Sequence, residues 1–276
     1  MYMKKNWCLL YLLSIFCFSH AQNKNTYLEQ KIDSTLSSMT IHEKVGQLNQ
    51  LDGRGTIENL KVLIRKGETG SVMNVTEPEV VNELQEIACK QSRTGIPLVF
   101  TRDVVHGFKT MLPIPLGQAA TFHPELIQEG ARIAAIEATE HGVRWSFAPM
   151  IDISRDARWG RIAESFGEDT YLTEQMAVAV VNGFQGDDLS NPQSMAACAK
   201  HFIGYGAVEG GRDYNSTHIP ERLLRDVYLP PFEKAIKANC SSIMTSFNDN
   251  DGIPATGNKK LLKDILRKEW NFDGVV

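Results

Sequence analysis

Charged side chains end or follow several short apolar runs in this 276-residue sequence. Asp103 comes just after the run at 97–101, and Lys200 and His201 lie late in the run at 195–202. Carboxylate and ammonium groups form charge-assisted hydrogen bonds, which suit a ligand rich in vicinal hydroxyl groups. A phosphate site would need a glycine-rich turn at a helix N-terminus, and the sequence contains no such turn. We therefore expect a hydroxyl-rich, sugar-like ligand if the fold brings these residues together.

The stretch at 152–164 adds groups of both charges, and aromatic residues stand near it. Its charged residues are Asp152, Arg155, Asp156, Arg158, Arg161 and Glu164. We expect Arg155 and Arg158 to brace this loop through the neighbouring carboxylates. Trp145, Trp159 and Phe247 offer aromatic faces on which a sugar ring can pack.

The elements that must position these groups alternate along the chain. A capping box at 40–43 predicts a short helix that runs through Gln50. Apolar runs predict five strands, at 71–75, 97–101, 145–151, 195–202 and 242–247, and the start of a sixth at 274–276. Helical spacing predicts helices at 77–93, 124–141, 171–184, 221–238 and 259–270. Pro230 and Pro231 are expected to interrupt the helix at 221–238.

Strands that alternate with helices pair in parallel, because each helical crossover returns the chain to the same end of the sheet. No glycine-rich dinucleotide fingerprint opens a helix after a predicted strand. We therefore predict an α/β fold of the (β/α)8 TIM-barrel type, incomplete, with about five to six βα units. The carboxyl ends of such strands share one face, so Asp103, Lys200 and His201 should meet there.

Four strings carry a family resemblance: TRDVVHG at 101–107, APMIDISRDARWGRIAESFGEDTYL at 148–172, AACAKHFIGYGAVEGGRDYN at 196–215 and IMTSFN at 243–248. They resemble the N-terminal barrel domain of glycoside hydrolase family 3 and look most like its periplasmic β-glucosidase branch. The resemblance covers the sequence from about residue 32 to residue 276. It implies a TIM-barrel-type domain, for which we expect the bounds 22–276, truncated at its C-terminal end.

The resemblance implies a retaining, exo-acting β-glycosidase that removes non-reducing-end β-linked glucose from oligosaccharides or glucosides. It assigns the binding of this sugar to Asp103, Arg161, Lys200 and His201, and the lining of the pocket to Met244 and Phe247. Several family members carry tyrosine at the position of Phe247, with its hydroxyl near the nucleophile, and phenylalanine cannot make that hydrogen bond. No cofactor and no metal is implied, since two carboxyl groups suffice for hydrolysis.

Both catalytic carboxylates are expected outside this sequence. The resemblance places the nucleophilic aspartate about three residues past Val276, and the acid/base glutamate in a later domain of the same polypeptide. We therefore interpret the sequence as a fragment of a longer gene product. The fragment would hold the glycone pocket, contain no catalytic residue and be inactive alone.

Two other functions remain open. A truncated barrel could bind a sugar without catalysis, and Lys200, late in a barrel strand, could be the nucleophile of a Schiff-base aldolase. The adjacent His201 and the downstream string G-x-x-E-G-G-R-D-Y-N make the aldolase the weaker alternative. The N-acetylglucosaminidase branch of the family carries histidine where Tyr205 stands, which argues against that branch.

Composition limits the partners that the protein can have. The formal net charge of -4 gives no basic excess for binding nucleic acid. Downstream of residue 22 the three cysteines, Cys89, Cys198 and Cys240, are widely spaced, which argues against a disulfide framework and a zinc site. The expected partner is an oligosaccharide or β-glucoside substrate.

The first 21 residues have the pattern of a secretory signal peptide. Lys4 and Lys5 precede an apolar run at 7–18, and Ser-His-Ala at 19–21 suits a cleavage site before Gln22. The apolar run is too short to span a bilayer comfortably. We expect export across the inner membrane to the periplasm and a mature protein that is not bound to the membrane.

Overall fold

The fold is described from a computed structural model, which gives residues 27–276. The predicted signal peptide at 1–21 lies outside this described range. None of the helices within the range combines the length and the apolar character that crossing a bilayer would require.

Six parallel strands of the described chain follow one another around a curved sheet. They are β1 (Gln50–Asp52), β2 (Ser71–Met73), β3 (Val99–Arg102), β4 (Trp145–Ser146), β5 (Cys198–Phe202) and β6 (Ser242–Thr245). Neighbouring strands pair in parallel from β1 to β4 and between β5 and β6, and a parallel bridge from Trp145 to Ala196 joins the two groups. A further parallel bridge connects Ser242 to Val275. This order, in which each strand neighbours the preceding one, is that of a βα-barrel and confirms the predicted fold class.

Helices connect these strands. They are α1 (27–38), α2 (Ile41–Gln47), α3 (Ile57–Arg65), α4 (Pro78–Gln91), α5 (Pro115–Ala119), α6 (Pro124–Glu140), α7 (Thr170–Gln185), α8 (Glu221–Leu223) and α9 (Leu229–Lys237). A helix with wider, i to i+5 hydrogen bonds covers Lys260–Glu269, and an antiparallel hairpin of β7 (Asp249–Asn250) and β8 (Ile253–Pro254) follows β6.

The predicted helix starts agree with the structure. Thr40 and Glu43 form the capping box of α2: the Thr40 amide donates to the Glu43 carboxylate at 2.8 Å, and the Glu43 amide donates to the Thr40 hydroxyl at 3.3 Å. Before α6, His123 Nδ1 accepts the amide of Leu126 at 3.2 Å, and Pro124 occupies the first turn.

The main core lies where α6, α7 and α9 pack together and against the sheet. Small residues on α6 allow a close approach of α7: a side-chain carbon at Gly183 would lie only 2.6 Å from the Cβ atom of Ala131. A second core joins α3 and α4 to β2 and β3. The strands that carry the polar side chains are therefore backed by packed helices.

One predicted boundary at the start of the barrel is wrong, and the prediction lacks strand β1. The first helix ends at Gln47 and not at Gln50, because the chain turns after Asn49 and pairs residues Gln50–Asp52 with β2 as strand β1. This strand has three residues and a single apolar side chain, Leu51, which packs against the second core; one apolar residue is too short a pattern to predict a strand. The prediction also omitted α3.

Proline residues lie at two further differences. The predicted strand 145–151 is regular only over Trp145–Ser146, and backbone bonds to the neighbouring strands continue irregularly beyond it. Pro149 has no amide hydrogen to donate there, although its carbonyl accepts the Lys200 amide at 3.0 Å. The helix predicted at 221–238 is interrupted by a π-helical segment at Leu224–Tyr228. Pro230 and Pro231 follow in the first turn of α9.

Candidate active site

A cavity of about 680 Å³ is lined by β1, β2, β4, β5, β6 and the loops after β3, β4 and β6. Its lining includes every residue that the sequence analysis assigned to sugar binding: Asp103, Arg161, Lys200, His201, Met244 and Phe247. Trp145 and Glu164 also line it. The structure thus brings together side chains that are far apart in the chain, which the barrel topology requires.

Lys200 and Asp103 form an ion pair at this cavity. Lys200 Nζ lies 2.6 Å from Asp103 Oδ1, and the lysine side chain is only 4% exposed while the aspartate side chain is 50% exposed. A buried ammonium requires such a partner, because an unpaired charge in a packed interior is costly. Since the pair sits at the cavity with the carboxylate half open to solvent, Asp103 can also accept hydrogen bonds from a bound ligand.

A bulge in β5 explains why two consecutive residues face the same cavity. Lys200 is paired with Met244 and Phe202 with Thr245, so the register between β5 and β6 skips His201. In a regular strand, Lys200 and His201 would point to opposite faces of the sheet. A bulge redirects one side chain, and here it places both at the cavity.

Asp152 fixes the orientation of His201. One oxygen, Oδ2, accepts both the His201 amide at 3.0 Å and the ring nitrogen Nδ1 at 2.8 Å. A carboxylate only accepts hydrogen bonds, so the proton of the ring must be on Nδ1. Nε2 is then the ring atom left for a ligand. The other oxygen of Asp152 is buried and has no hydrogen-bond partner among the described residues.

Arg161 is held by Glu164 and by two aromatic rings. Its Nε and one terminal nitrogen donate to the two Glu164 oxygens at 2.7 and 2.8 Å, and its guanidinium lies 5.6 Å from the Tyr205 ring centre and 6.0 Å from that of Phe247. Burial alone would lower the pKa of Arg161, but the bonds to Glu164 outweigh it and raise that pKa. Conversely, burial would raise the pKa of Glu164, but Arg161 lowers it. Both groups are therefore charged at neutral pH.

Tyr205 and Asp213 form a support that the sequence analysis did not identify. Tyr205 is fully buried, and its ring packs against those of His201 and Phe247 with centroids 5.2 and 5.4 Å apart. Its hydroxyl donates to Asp213 Oδ1, which also accepts the indole nitrogen of Trp159 at 3.1 Å. Burial raises the pKa of Tyr205, and the Asp213 carboxylate raises it further. Both residues lie in the family string that ends at residue 215. The sequence did not predict their contact, because they belong to separate parts of one loop.

The other predicted residues have mixed outcomes. Trp145 lines the cavity and donates its indole hydrogen to Ser242 Oγ at 2.7 Å, whereas Trp159 is buried behind Tyr205 and does not line it. Arg158 braces its loop as predicted, through an ion pair with Asp156 at 2.6 Å. Glu164, another charged residue of this loop, pairs with Arg161 and also lines the cavity.

No cluster of histidine, cysteine or acidic side chains within residues 27–276 could hold a metal ion. The carboxylates that line the cavity in this range are Asp103 and Glu164. Each of them is already bound to a cationic side chain, which limits its use as a proton donor.

Comparisons with known proteins agree with this geometry. The sequence profile described as "Glycosyl hydrolase family 3 N terminal domain" matches residues 40–276. The chain belongs to glycosyl hydrolase family 3. It is 39% identical over 246 residues to the periplasmic beta-glucosidase of Salmonella typhimurium, a match that covers 88% of this chain and 32% of that protein. It is 36% identical over 279 residues to a putative beta-xylosidase of Formosa agariphila, covering 92% of this chain and 37% of that protein.

Solved structures of the family have the same fold. The beta-glucosidase of Listeria innocua in complex with isofagomine superposes with a TM-score of 0.82 at 42% identity and covers 89% of this chain. The exo-1,3/1,4-beta-glucanase of a Pseudoalteromonas species superposes with a TM-score of 0.82 at 33% identity and covers 90% of it. This family 3 chain spans 36% and 44% of those two proteins, and about a third of the curated relatives above.

Proposed function

We propose that this chain forms the glycone-binding half of a retaining, exo-acting β-glycosidase of the β-glucosidase type. The observation that carries this proposal is the single cavity where Asp103, Lys200, Arg161 and His201 meet. Together they offer carboxylate acceptors, ammonium and guanidinium donors and an imidazole, the mixture that binds the vicinal hydroxyls of one sugar ring. The names of the β-glucosidase and β-xylosidase relatives support the same reaction class.

Each residue would have a distinct role toward the sugar. Lys200 and Arg161 donate hydrogen bonds to hydroxyl groups of the sugar ring. Asp103 accepts a hydrogen bond from a hydroxyl group of the same ring. His201, fixed by Asp152, presents Nε2 to a further hydroxyl. Met244 and Phe247 supply the apolar side of the pocket, against which the C–H face of the ring packs. Bonds that strengthen as the ring distorts toward an oxocarbenium-like transition state accelerate glycosidic cleavage.

We also propose that the two catalytic carboxyl groups come from sequence that the relatives possess and this chain does not span. Retaining hydrolysis needs a nucleophile and a proton donor about 5–5.5 Å apart. Asp103 and Glu164 are poor candidates, since Lys200 and Arg161 already bind them. Arg161 also lowers the pKa of Glu164, which opposes the protonated form that a general acid needs.

The geometry does not favour the Schiff-base aldolase. Such a lysine must present a free, neutral amine to a carbonyl group. The Lys200 amine instead is bound to the Asp103 carboxylate at 2.6 Å and is not free. Lys200 therefore serves as a hydrogen-bond donor.

Turnover of 4-nitrophenyl β-glucoside tests the proposed function. We expect the full-length gene product to release nitrophenol and glucose with retention of configuration, and the 276-residue chain alone to bind glucose without turnover. The Asp103→Ala variant of the full-length protein should lose most of its activity. A full-length protein that hydrolyses no β-glucoside or β-xyloside, or that inverts the product, would contradict the proposal.

We further propose that the protein is exported, which agrees with the basic and apolar pattern of residues 1–21 and with the periplasmic relative. Mass spectrometry of protein from the periplasmic fraction should give a mature N-terminus at Gln22. An intact Met1 in that preparation, or absence from the fraction, would exclude this cleavage.

A further inference from the structure

Asp213 is a carboxylate outside the cavity that binds two buried aromatic side chains. It does not line the cavity, and it is exposed on the loop that follows β5. One of its oxygens, Oδ1, accepts the hydroxyl of Tyr205 and, at 3.1 Å, the indole nitrogen of Trp159. Both aromatic residues are buried, so each donor needs an acceptor within the protein. Asp213 therefore supplies the acceptor on which the orientation of both rings depends.

The ring of Tyr205 lies behind two of the cavity residues. It packs edge-on against the His201 imidazole, with centroids 5.2 Å apart and ring planes at 81°. The Arg161 guanidinium lies over the same ring, with its central carbon 5.6 Å from the ring centre. A displacement of the Tyr205 ring would therefore disturb two of the four groups that we assign to the sugar.

Both ends of the bond between Asp213 and Tyr205 are in the protonation state that the bond needs. Burial would raise the pKa of Asp213, but hydrogen bonds from its two aromatic partners and the charge of Arg161 outweigh it and lower that pKa. Burial raises the pKa of Tyr205, and the Asp213 carboxylate raises it further. At neutral pH the tyrosine hydroxyl thus donates to an ionised acceptor, which makes a stronger hydrogen bond than a neutral one.

The loop is fastened to the hairpin β7–β8 by bonds that do not involve Asp213. Ser216 Oγ donates to Asp249 Oδ2 at 2.6 Å, and His218 Nδ1 lies 2.8 Å from Asp251 Oδ1. The position of the loop therefore does not depend on Asp213 alone. What Asp213 adds is a contact directed at the rings behind the cavity.

We propose that Asp213 is a positioning residue for the glycone and acts through the hydroxyl of Tyr205. The groups that it positions are Arg161 and His201, which the Tyr205 ring contacts. This inference rests on the proposed function and adds a residue to which the family resemblance assigned no role. Removing either end of the bond should misalign the two groups without removing any atom that touches the sugar. Because alignment matters most in the transition state, kcat should fall more than KM rises.

A double-mutant cycle in the full-length gene product tests this role. Asp213→Ala and Tyr205→Phe should each lower kcat/KM for 4-nitrophenyl β-glucoside about tenfold, mostly through kcat. The double variant should be little slower than the slower single variant, because both changes break the same hydrogen bond. Asp213→Asn keeps an oxygen acceptor for the two donors and should recover most of the lost activity.

Asp251→Ala is the matched control, because Asp251 is an exposed carboxylate that binds His218 of the same loop and does not line the cavity. It should have the kcat and KM of the wild type. Equal activity of Asp213→Ala and Asp251→Ala would overturn the positioning role. Additive losses in the double variant would overturn it too, because Asp213 would then not act through Tyr205.

Tyr205→Phe removes one oxygen atom from a packed ring, so it tests the same bond even if Asp213→Ala does not fold. A Tyr205→Phe enzyme with the kcat of the wild type would overturn the proposal on its own. A wild-type protein that hydrolyses neither β-glucosides nor β-xylosides would instead contradict the proposed function, so the two failures are distinguishable.

Discussion

Lys200 Nζ lies 2.6 Å from Asp103 Oδ1, although 97 residues separate the two in the chain. The contact joins β5 to the loop after β3, across the space that β4 spans. It places an anion and a cation at the same cavity, so the site is preorganised for hydroxyl groups before any ligand enters.

Replacing Asp103 by alanine should weaken sugar binding and lower the stability of the fold together. The change removes an acceptor from the cavity and leaves the Lys200 ammonium buried without its partner. We expect kcat/KM for a β-glucoside to fall by about a hundredfold or more, and the free energy of unfolding to fall by about 1–2 kcal/mol, because Asp103 is half exposed and its charge is partly screened.

Asp156→Ala is the control for that variant, since Asp156 pairs with Arg158 and does not line the cavity. It should retain wild-type kinetics. If Asp103→Ala and Asp156→Ala have the same kcat/KM, Asp103 has no role in binding the substrate.

Replacing Asp152 by alanine should disorder His201. The change removes the acceptor of two buried donors, the amide and Nδ1 of His201. Each buried donor without a partner costs about 1–3 kcal/mol. We expect the free energy of unfolding, measured by urea denaturation, to fall by that amount or more. Asp152→Asn retains a carbonyl acceptor and should be the less destabilised variant. Glucose affinity unchanged in Asp152→Ala would show that the orientation of His201 is irrelevant to binding.

Replacing Glu164 by glutamine should reduce activity with little effect on folding. The amide keeps the volume of the side chain but loses the charge that holds Arg161 through two hydrogen bonds. We expect kcat/KM to fall about tenfold, because Arg161 would be positioned less precisely. Glu168→Gln, on an exposed neighbour in the same loop, should have wild-type kinetics. A Glu164→Gln enzyme as active as Glu168→Gln would remove Glu164 from the positioning of Arg161.

Acid should destabilise the N-terminal part of the barrel through Glu43. Hydrogen bonds from Arg93 and from the Thr40 backbone lower the pKa of Glu43 from 4.5 to about 2. A carboxyl whose pKa is lower in the folded state stabilises the fold above its unfolded pKa, and this contribution is lost as the pH falls toward 2. In Glu43→Gln, stability should therefore depend less on pH between about 4.5 and 2 than in the wild type.

The control for this pH dependence is Glu79→Gln, on an exposed residue in the first turn of α4. The midpoint of thermal unfolding, measured at several pH values for the wild type and both variants, tests the predicted pH dependence. If both variants lose stability with acid in parallel with the wild type, the pair formed by Glu43 and Arg93 does not contribute to acid sensitivity.

Much of the site could be predicted from sequence because its residues lie at strand ends. Asp103 follows a buried strand, and Lys200 and His201 lie in another, so a parallel barrel brings them together whatever its detailed geometry. The family strings then added Arg161, Met244 and Phe247, and all of them line the same cavity.

The remaining features depend on contacts that periodicity does not encode. Strand β1 has three residues without apolar alternation, and its pairing with β2 defines it. The contact of Tyr205 with Asp213 joins two turns of one irregular loop, in which spacing carries no information about distance. The bulge at His201 follows from the pairing of β5 with β6, and the sequence pattern did not predict it either.

A crystal structure of the protein soaked with methyl β-glucoside tests the central claim most directly. We predict one glucosyl ring in the cavity, with Asp103, Lys200, Arg161 and the Nε2 atom of His201 within hydrogen-bond distance of its hydroxyls. A sugar bound elsewhere on the barrel, or a cavity that stays empty at saturating glucoside, would contradict the account.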